Sequence, residues 1–375
     1  MRHFILKKKD IALIDFNLSW NALGEITYQV NNILVNDVLL PYNFKVDTLI
    51  SWLQHRFVPK NRAFVESILG SLVGNNEPRL ISLLGITLGL SLVDDYWVVP
   101  HDSSYLWKDY NLYDNNFSEV LALSAFTGHI TKVSGVISSP EPTTNGMLRK
   151  CWRRINNEVL LYKAGTEGYS NAGKEPYSEY YASQVALAMG LDAVTYDLER
   201  WKGVLCSTCK LFTSESLSFI SAFDVFGNMP VSEILSNSSD NTKNKLLDLM
   251  AFDAVVINED RHFNNFGFIR SNTTGELLDV APIFDNGVSL LNYGLDSDLL
   301  NLDEYLQSRQ MTFAFIPATN LDVVRGYLTS TQRGRLRKLL GFEFKRHSNY
   351  NLSEERLSVL TQLVRHRAGV LLDKS

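Results

Sequence analysis

Asn258-Glu259-Asp260-Arg261-His262-Phe263-Asn264-Asn265-Phe266-Gly267-Phe268-Ile269-Arg270 is the stretch around which this chain organises itself. It continues through Ser271-Asn272-Thr273-Thr274-Gly275 into Glu276-Leu277-Leu278-Asp279-Val280-Ala281-Pro282-Ile283-Phe284-Asp285. The middle reads as a β-hairpin: an apolar strand, a polar turn containing glycine, and a second apolar strand. Folding it about Thr273 returns residue 265 to the neighbourhood of residues 281–285. Asn265 and Asp285 then share the open end of the hairpin, and Asp260 lies just before it. Three oxygen-bearing side chains converge from well-separated positions.

That convergence suits phosphoryl transfer. Magnesium is a hard ion held by one or two protein oxygens together with substrate phosphates, so Asn and Asp are appropriate ligands. A further carboxylate outside the metal shell can orient an acceptor hydroxyl and take its proton. The D-x-x-x-x-N spacing with a downstream Asp is the template shared by protein kinases and several small-molecule kinases. Each residue also suits a plainer role. Asp260 and Asn265 are good helix-end and turn residues, and Asp285-Asn286-Gly287 is a turn signal. It is their joint placement by the hairpin that favours chemistry. His262 reads as a structural hydrogen-bonder, because metal and phosphate chemistry do not need it.

A nucleotide site also needs a cation. Residues 158–164, Glu-Val-Leu-Leu-Tyr-Lys-Ala, read as a strand with Lys163 on the face of Val159 and Leu161. A lysine there is costly unless it snorkels or finds a partner. Glu179, near the start of a helix expected over 176–189 and capped by Gly190, is a suitable partner. The loop 138–146, with Ser138, Ser139 and Gly146, is positioned to cover phosphates through backbone N–H groups.

The rest of the chain supplies context. With 375 residues it is long for one core, and its net charge of −5 argues against a dedicated nucleic-acid binder. No apolar run approaches the roughly 20 residues of a membrane span, and the first residues lack a signal-peptide pattern, so a cytoplasmic location is expected. Three cysteines make no disulfide framework, and the lone Cys206/Cys209 pair reads as small strand residues. Strands are expected at 11–16, 26–35 (with a turn at Asn31-Asn32), 96–100, 130–137 and 217–225. Helices are expected at 46–56, 62–73, around 247–258 and 353–372, and the run 80–88 is ambiguous. The division expected is a mixed region of unread role at 1–125, followed by a unit at 126–375 split near 230. The fold class is α+β and two-lobed, with a mainly β N-lobe and a helical C-lobe.

The sequence resembles the HipA-like serine/threonine kinases of bacterial toxin–antitoxin systems over roughly residues 130–370. The resemblance rests on Lys163, on Ser178-Glu179-Tyr180-Tyr181 followed by Gly190-Leu191, on the run 260–267, and on Ala281-Pro282-Ile283-Phe284-Asp285. It implies an ATP-binding, protein-kinase-like fold with Asp260 as catalytic base, Asn265 and Asp285 as Mg2+ ligands, and Lys163 on the ATP phosphates. It further implies a protein substrate, an antitoxin partner, and autophosphorylation at Ser138, Ser139, Thr143 or Thr144. The alternatives are a small-molecule phosphotransferase of the aminoglycoside-kinase type and a non-catalytic nucleotide-binding module. Intact Asp260, Asn265 and Asp285 argue against the latter.

Overall fold

The computed structural model describes residues 1–35, 37–72, 77–133, 135–308 and 321–373. The fold is α+β, as expected, and contacts divide it into two compact units. The first comprises residues 1–162, 213–220 and 269–278. The second comprises 163–212, 221–268 and 279–375. The boundary therefore falls at Tyr162/Lys163 and not near residue 125. The segment after 125 packs with what precedes it, because the strand at 150–155 and the turn at 141–143 lie against helices at 119–127 and 65–72.

In the first unit, β1 (Arg2–Lys8), β2 (Ile11–Trp20), β3 (Ile26–Ile33) and β4 (Tyr96–Pro100) form an antiparallel sheet in the order β3-β2-β1-β4. Alternation drives it: Phe4 and Leu6 of β1, with Ile14, Phe16 and Leu18 of β2, are buried. They pack on α1 (Leu49–His55), α2 (Val65–Leu72) and α3 (Arg79–Thr87), and on α5 (Glu119–Thr127), which follows the single turn α4 (Trp107–Tyr110). The ambiguous run 80–88 is thus helical. Asn31-Asn32 lies within β3, and the turn is made earlier, where Asn21 Oδ1 accepts the amides of Leu23 and Glu25. Among the described residues of 130–137, which exclude 134, the expected strand does not form. The amides of Val133 and Ile137 bond the carbonyls of Ser71 and Ile86, at the ends of helices, so no strand partner faces them.

Arg62 fixes the segment that follows. Its Nη1 donates to the carbonyls of Glu141 (2.6 Å) and Thr144 (2.8 Å), and its Nη2 to Glu141 Oε2 and the Lys150 carbonyl (both 3.0 Å). Next come β5 (Lys150–Ile155) and β6 (Glu158–Ala164), whose last two residues open the second unit.

The second unit continues with α6 (Glu175–Met189), β7 (Tyr196–Trp201) and β8 (Val204–Lys210), the last two pairing antiparallel. Cys206 and Cys209 are reduced thiols on β8, as expected for strand residues. After β9 (Leu217–Ser221) the expected strand is cut short. Ser221 Oγ accepts the Asp224 amide and starts α7 (Ala222–Phe226). Along the chain then come α8 (Val231–Asn237), α9 (Asp240–Val256), the hairpin strands β10 (Gly267–Ser271) and β11 (Leu277–Val280), α10 (Leu302–Ser308), α11 (Leu321–Tyr327), α12 (Ser330–Arg337) and α13 (Glu354–Leu372). Residues 269–278 of the hairpin belong to the first unit, as residues 217–220 of β9 do.

The core of this unit joins Tyr181, Val185 and Met189 of α6 to Leu247, Met250 and Phe252 of α9 and Leu360, Val364 and Leu371 of α13. Full burial of each such side chain contributes about 2 kcal/mol. Gly190 ends α6 in the left-handed region (φ 75°), where its amide reaches the Ala186 and Leu187 carbonyls, so the chain turns sharply off the helix. Ile257 ends α9 in the same region (φ 55°) despite a β-branched side chain. The helix is thereby stopped immediately before Asn258 and Asp260.

Candidate phosphotransfer site

Lys163, at the end of β6, is buried, and Ser207 Oγ donates to its carbonyl (3.3 Å). Its ammonium pairs with Glu179 Oε1 at 2.8 Å and with Asp285 Oδ1. Burial works against the lysine's charge, but the Asp285 and Glu179 carboxylates outweigh it and raise its pKa. Glu179 projects from the first turns of α6, fully buried, and its second oxygen accepts the Asn286 amide at 2.7 Å. One carboxylate thus ties β6 to the segment after β11.

The loop between β6 and α6 is folded back by Glu175. Its carboxylate accepts the Thr166 amide (3.2 Å) and hydroxyl (2.7 Å). Gly165 is required here: a Cβ would stand 2.6 Å from Glu175 Oε2 and 2.8 Å from Gly173 Cα.

After α9, Asn258 Oδ1 accepts the Asp260 amide (3.1 Å), and Asn265 Nδ2 donates to the Asp260 carbonyl (3.0 Å). The amide of Asn265 therefore turns its oxygen away from that contact. Asp260 is exposed at the mouth of this turn. Desolvation raises its pKa, His262 and Lys163 oppose the rise, and Asp285 adds to it. Asp260, Asp285 and Lys163 thus lie within one electrostatic neighbourhood. His262 is exposed, and its Nδ1 accepts the Asn264 amide (3.2 Å), the structural role expected of it.

Arg261, next to Asp260, is the residue the sequence alone left unassigned. It is fully buried and binds Asp253 of α9 through Nε (2.9 Å) and Nη2 (3.1 Å). Its Nη1 donates to the carbonyls of Asn265 (2.7 Å) and Phe284 (2.6 Å), and its Nη2 to Asn286 Oδ1 (2.6 Å). The hairpin base closes through the Ala281 amide and the Gly267 carbonyl (2.9 Å). Signals for this hub were available: Asp253 in the apolar run 249–256 and an Arg in the short turn that follows it. Each charge, if buried, demands a partner.

Asp285 itself is left-handed (φ 57°), its side chain is 32% exposed, and its amide donates to Tyr196 Oη (3.2 Å). Asn265 and Asp285 offer oxygen, the donor type a hard divalent ion takes. Lys163 offers the cation a phosphate needs. The residues fit a magnesium–nucleotide pair.

Of the residues singled out from sequence, the second unit holds Lys163, Glu179, Asp260, Asn265 and Asp285. Ser138, Ser139 and Gly146 belong to the first. Ser139 and Thr143 are buried, and the hydroxyls of Ser138, Thr143 and Thr144 donate to the carbonyls of Tyr110 (2.8 Å), Leu90 (2.7 Å) and Pro140 (2.7 Å).

An α+β fold carrying a buried strand lysine paired to a helix glutamate, with an Asp-x-x-x-x-Asn turn and a downstream Asp, defines a kinase-like class of protein. Comparison with known proteins gives particular relatives. The serine/threonine-protein kinase CtkA of Helicobacter pylori is 26% identical over 176 residues, covering 40% of this chain and 53% of CtkA. The chain thus spans about half the length of the curated relative it matches. The relative is a kinase by its name, as the motifs lead one to expect. Among solved structures, the H. pylori proinflammatory kinase CtkA aligns with a TM-score of 0.45 at 19% identity, over 60% of this chain and 92% of that one. A chain of the Shewanella oneidensis MR-1 toxin–antitoxin complex of HipA, HipB and operator DNA aligns at 0.47 and 11%, over 99% and 100%. No family model matches the chain. No helix among the described residues is long and apolar enough to cross a membrane.

Proposed function

We propose that the chain is an ATP- and magnesium-dependent serine/threonine protein kinase. The observation that carries this reading is the buried Lys163 held between Glu179 and Asp285 beside Asp260. In this arrangement the phosphate-binding cation and the metal-binding carboxylate neutralise each other. Lys163 would hold phosphate oxygens, while Asn265 and Asp285 would hold the metal. Magnesium, when bound, offsets the phosphates' charge. Glu179 keeps Lys163 oriented throughout. Asp260 orients the acceptor hydroxyl and takes its proton as the oxygen bonds to the γ-phosphorus and the bond to the ADP oxygen breaks.

The reading extends to a protein substrate and, through the family resemblance, to an antitoxin partner. It also extends to autophosphorylation within 138–146, which requires that segment to leave its contacts with Arg62. Incubation with labelled ATP and magnesium, with and without a generic protein substrate, followed by phosphosite mapping, tests it. Label in the wild type and its loss in Asp260→Asn and Asp285→Asn are expected. Absence of label in the wild type overturns the kinase reading, and equal label in Asp260→Asn overturns the assignment of the base.

A further inference from the structure

A second constellation of ligating side chains lies in the first unit, on the sheet formed by β1, β2 and β4. His3 comes from β1, Asp15 from β2, and His101 directly follows β4, its amide bonded to the His3 carbonyl (3.0 Å). The β1–β2 register sets Ile5 opposite Asp15 and His3 opposite Asn17, so His3 and Asp15 are diagonal neighbours across adjacent strands. One ligand atom from each of the three lies within 4.8 Å of the other two.

The contacts within the cluster are unusual for an ordinary surface pair. The imidazoles of His3 and His101 stack with centroids 3.8 Å apart and planes 11° from parallel. His3 Nε2 is 2.5 Å from Asp15 Oδ1, and His101 Nε2 is 3.8 Å from Asp15 Oδ2. His101 Nδ1 faces Asp102 Oδ1 at 2.8 Å, the kind of contact by which a carboxylate behind a metal-bound histidine orients the ring. Asn31 Nδ2 lies 2.8 Å from Asp15 Oδ1 and 3.3 Å from His3 Nε2, so it holds the same carboxylate oxygen that His3 meets. A single cation bound by the two imidazole nitrogens and the carboxylate oxygen would use all three clustered ligand atoms at once.

We infer that His3, Asp15 and His101 form a binding site for a borderline divalent transition-metal ion of the zinc type. Two imidazole nitrogens and one carboxylate oxygen are the donor set such ions take, and a site with three protein ligands keeps its fourth position for water. Ligand atoms around a tetrahedral zinc ion at about 2.1 Å stand roughly 3.4 Å apart, so on binding the His3–Asp15 contact opens from 2.5 Å and the His101–Asp15 contact closes from 3.8 Å. Side-chain exposures of 36% for His3, 21% for Asp15 and 38% for His101 allow both that adjustment and entry of the ion. The ion clips the first strand to its two neighbours in the sheet. This inference is independent of the phosphotransferase reading.

The test is calorimetric titration of the chelator-treated full chain with zinc chloride, without magnesium or nucleotide, alongside thermal unfolding with and without zinc. One equivalent bound and a raised unfolding midpoint are expected. His3→Gln and His101→Gln should each weaken binding at least tenfold and together abolish the thermal shift. Asp102→Asn should weaken it by about tenfold, as loss of a carboxylate behind a metal-bound histidine does. Circular dichroism and the metal-free midpoint verify that the variants fold. Cys206→Ser/Cys209→Ser should bind as the wild type does. No heat and no thermal shift in the wild type overturn the inference. So does zinc binding that survives the paired histidine substitutions or disappears in the paired cysteine variant.

Discussion

Arg261 Nη1 stands 2.6 Å from the carbonyl oxygen of Phe284, so the residue after the candidate base holds the backbone immediately before the candidate metal ligand Asp285. The same nitrogen holds the Asn265 carbonyl, and the other end of the guanidinium is locked onto Asp253 of α9. Asp260, Asn265 and Asp285 are therefore spaced by one rigid cation, and their separation does not depend on the hairpin alone. Burial raises the Asp253 pKa and Arg261 opposes the rise, so each charge is tolerated only because of the other.

Removing this cation should be severe. Arg261→Met leaves Asp253 buried without its partner and two carbonyls without their donor, a loss on the order of 3–5 kcal/mol. Urea unfolding should show it as a lowered midpoint. The double variant Asp253→Leu/Arg261→Met removes both charges and should recover part of that stability. It should not recover label transfer, because the carbonyls at 265 and 284 stay untethered. Recovery of both together would mean that Arg261 acts only through charge balance.

Asp260→Asn should reduce phosphoryl transfer by about 10²–10⁴-fold, the usual contribution of a general base. Stability should be unchanged or slightly higher, because the amide carries no charge beside Asp285. In the wild type the base works only when ionised, so kcat/KM should rise as pH increases through the Asp260 pKa. Desolvation has raised that value, and the limb should therefore lie above the ordinary aspartate value. A profile whose acidic limb is identical in Asp260→Asn would remove Asp260 from the proton transfer.

Much of this site is legible in the amino-acid sequence. The hairpin, the strand ending at Lys163 and the helix carrying Glu179 all carry strong local signals: period-two alternation, a glycine turn and a capped 3.6-residue stripe. Their convergence follows from a short connection and a short hairpin. What is not legible depends on distant partners. The 130–137 segment has strand-like composition, yet the carbonyls that meet its amides come from helices over 50 residues away in sequence. Arg261 likewise looks like any turn arginine until α9 brings Asp253 against it. The 138–146 segment reads as an open phosphate loop, whereas Arg62 folds it into the first unit through contacts about 80 residues apart.

That last contact makes a pH-dependent prediction. Glu141 is fully buried, and desolvation pushes its carboxyl up to about 7, against the attraction of Arg62. Below the ordinary glutamate value both native and unfolded chains carry the proton. Between that value and about 7 the native chain keeps it and the unfolded chain does not, so stability falls as pH rises through this window. The loss is at most about 3 kcal/mol and is complete above the upper value. Glu141→Gln should be less stable at low pH, because its amide cannot accept from both Arg62 and the Trp152 amide. Its urea midpoint should also lose this part of the pH dependence. A variant with the same slope as the wild type would assign the effect to another group.

Gly165→Ala isolates the packing of the loop between Lys163 and Glu175. The backbone at 165 is not left-handed, so an added methyl is opposed by space alone. It meets a buried carboxylate oxygen at 2.6 Å and the Gly173 backbone at 2.8 Å, neither of which can yield without opening the loop. Overpacking of this kind costs about 1–3 kcal/mol. The thermal midpoint should fall, and limited proteolysis should cut faster between residues 165 and 174. Because Lys163 is two residues away, affinity for a non-hydrolysable ATP analogue should fall as well. Thr166→Ser keeps the hydroxyl that Glu175 accepts and should leave all three measurements near wild type. If Gly165→Ala matched Thr166→Ser, the close approach of the two loop strands would not constrain the site, and the position of Lys163 would have to be set by Glu179 and Asp285 alone.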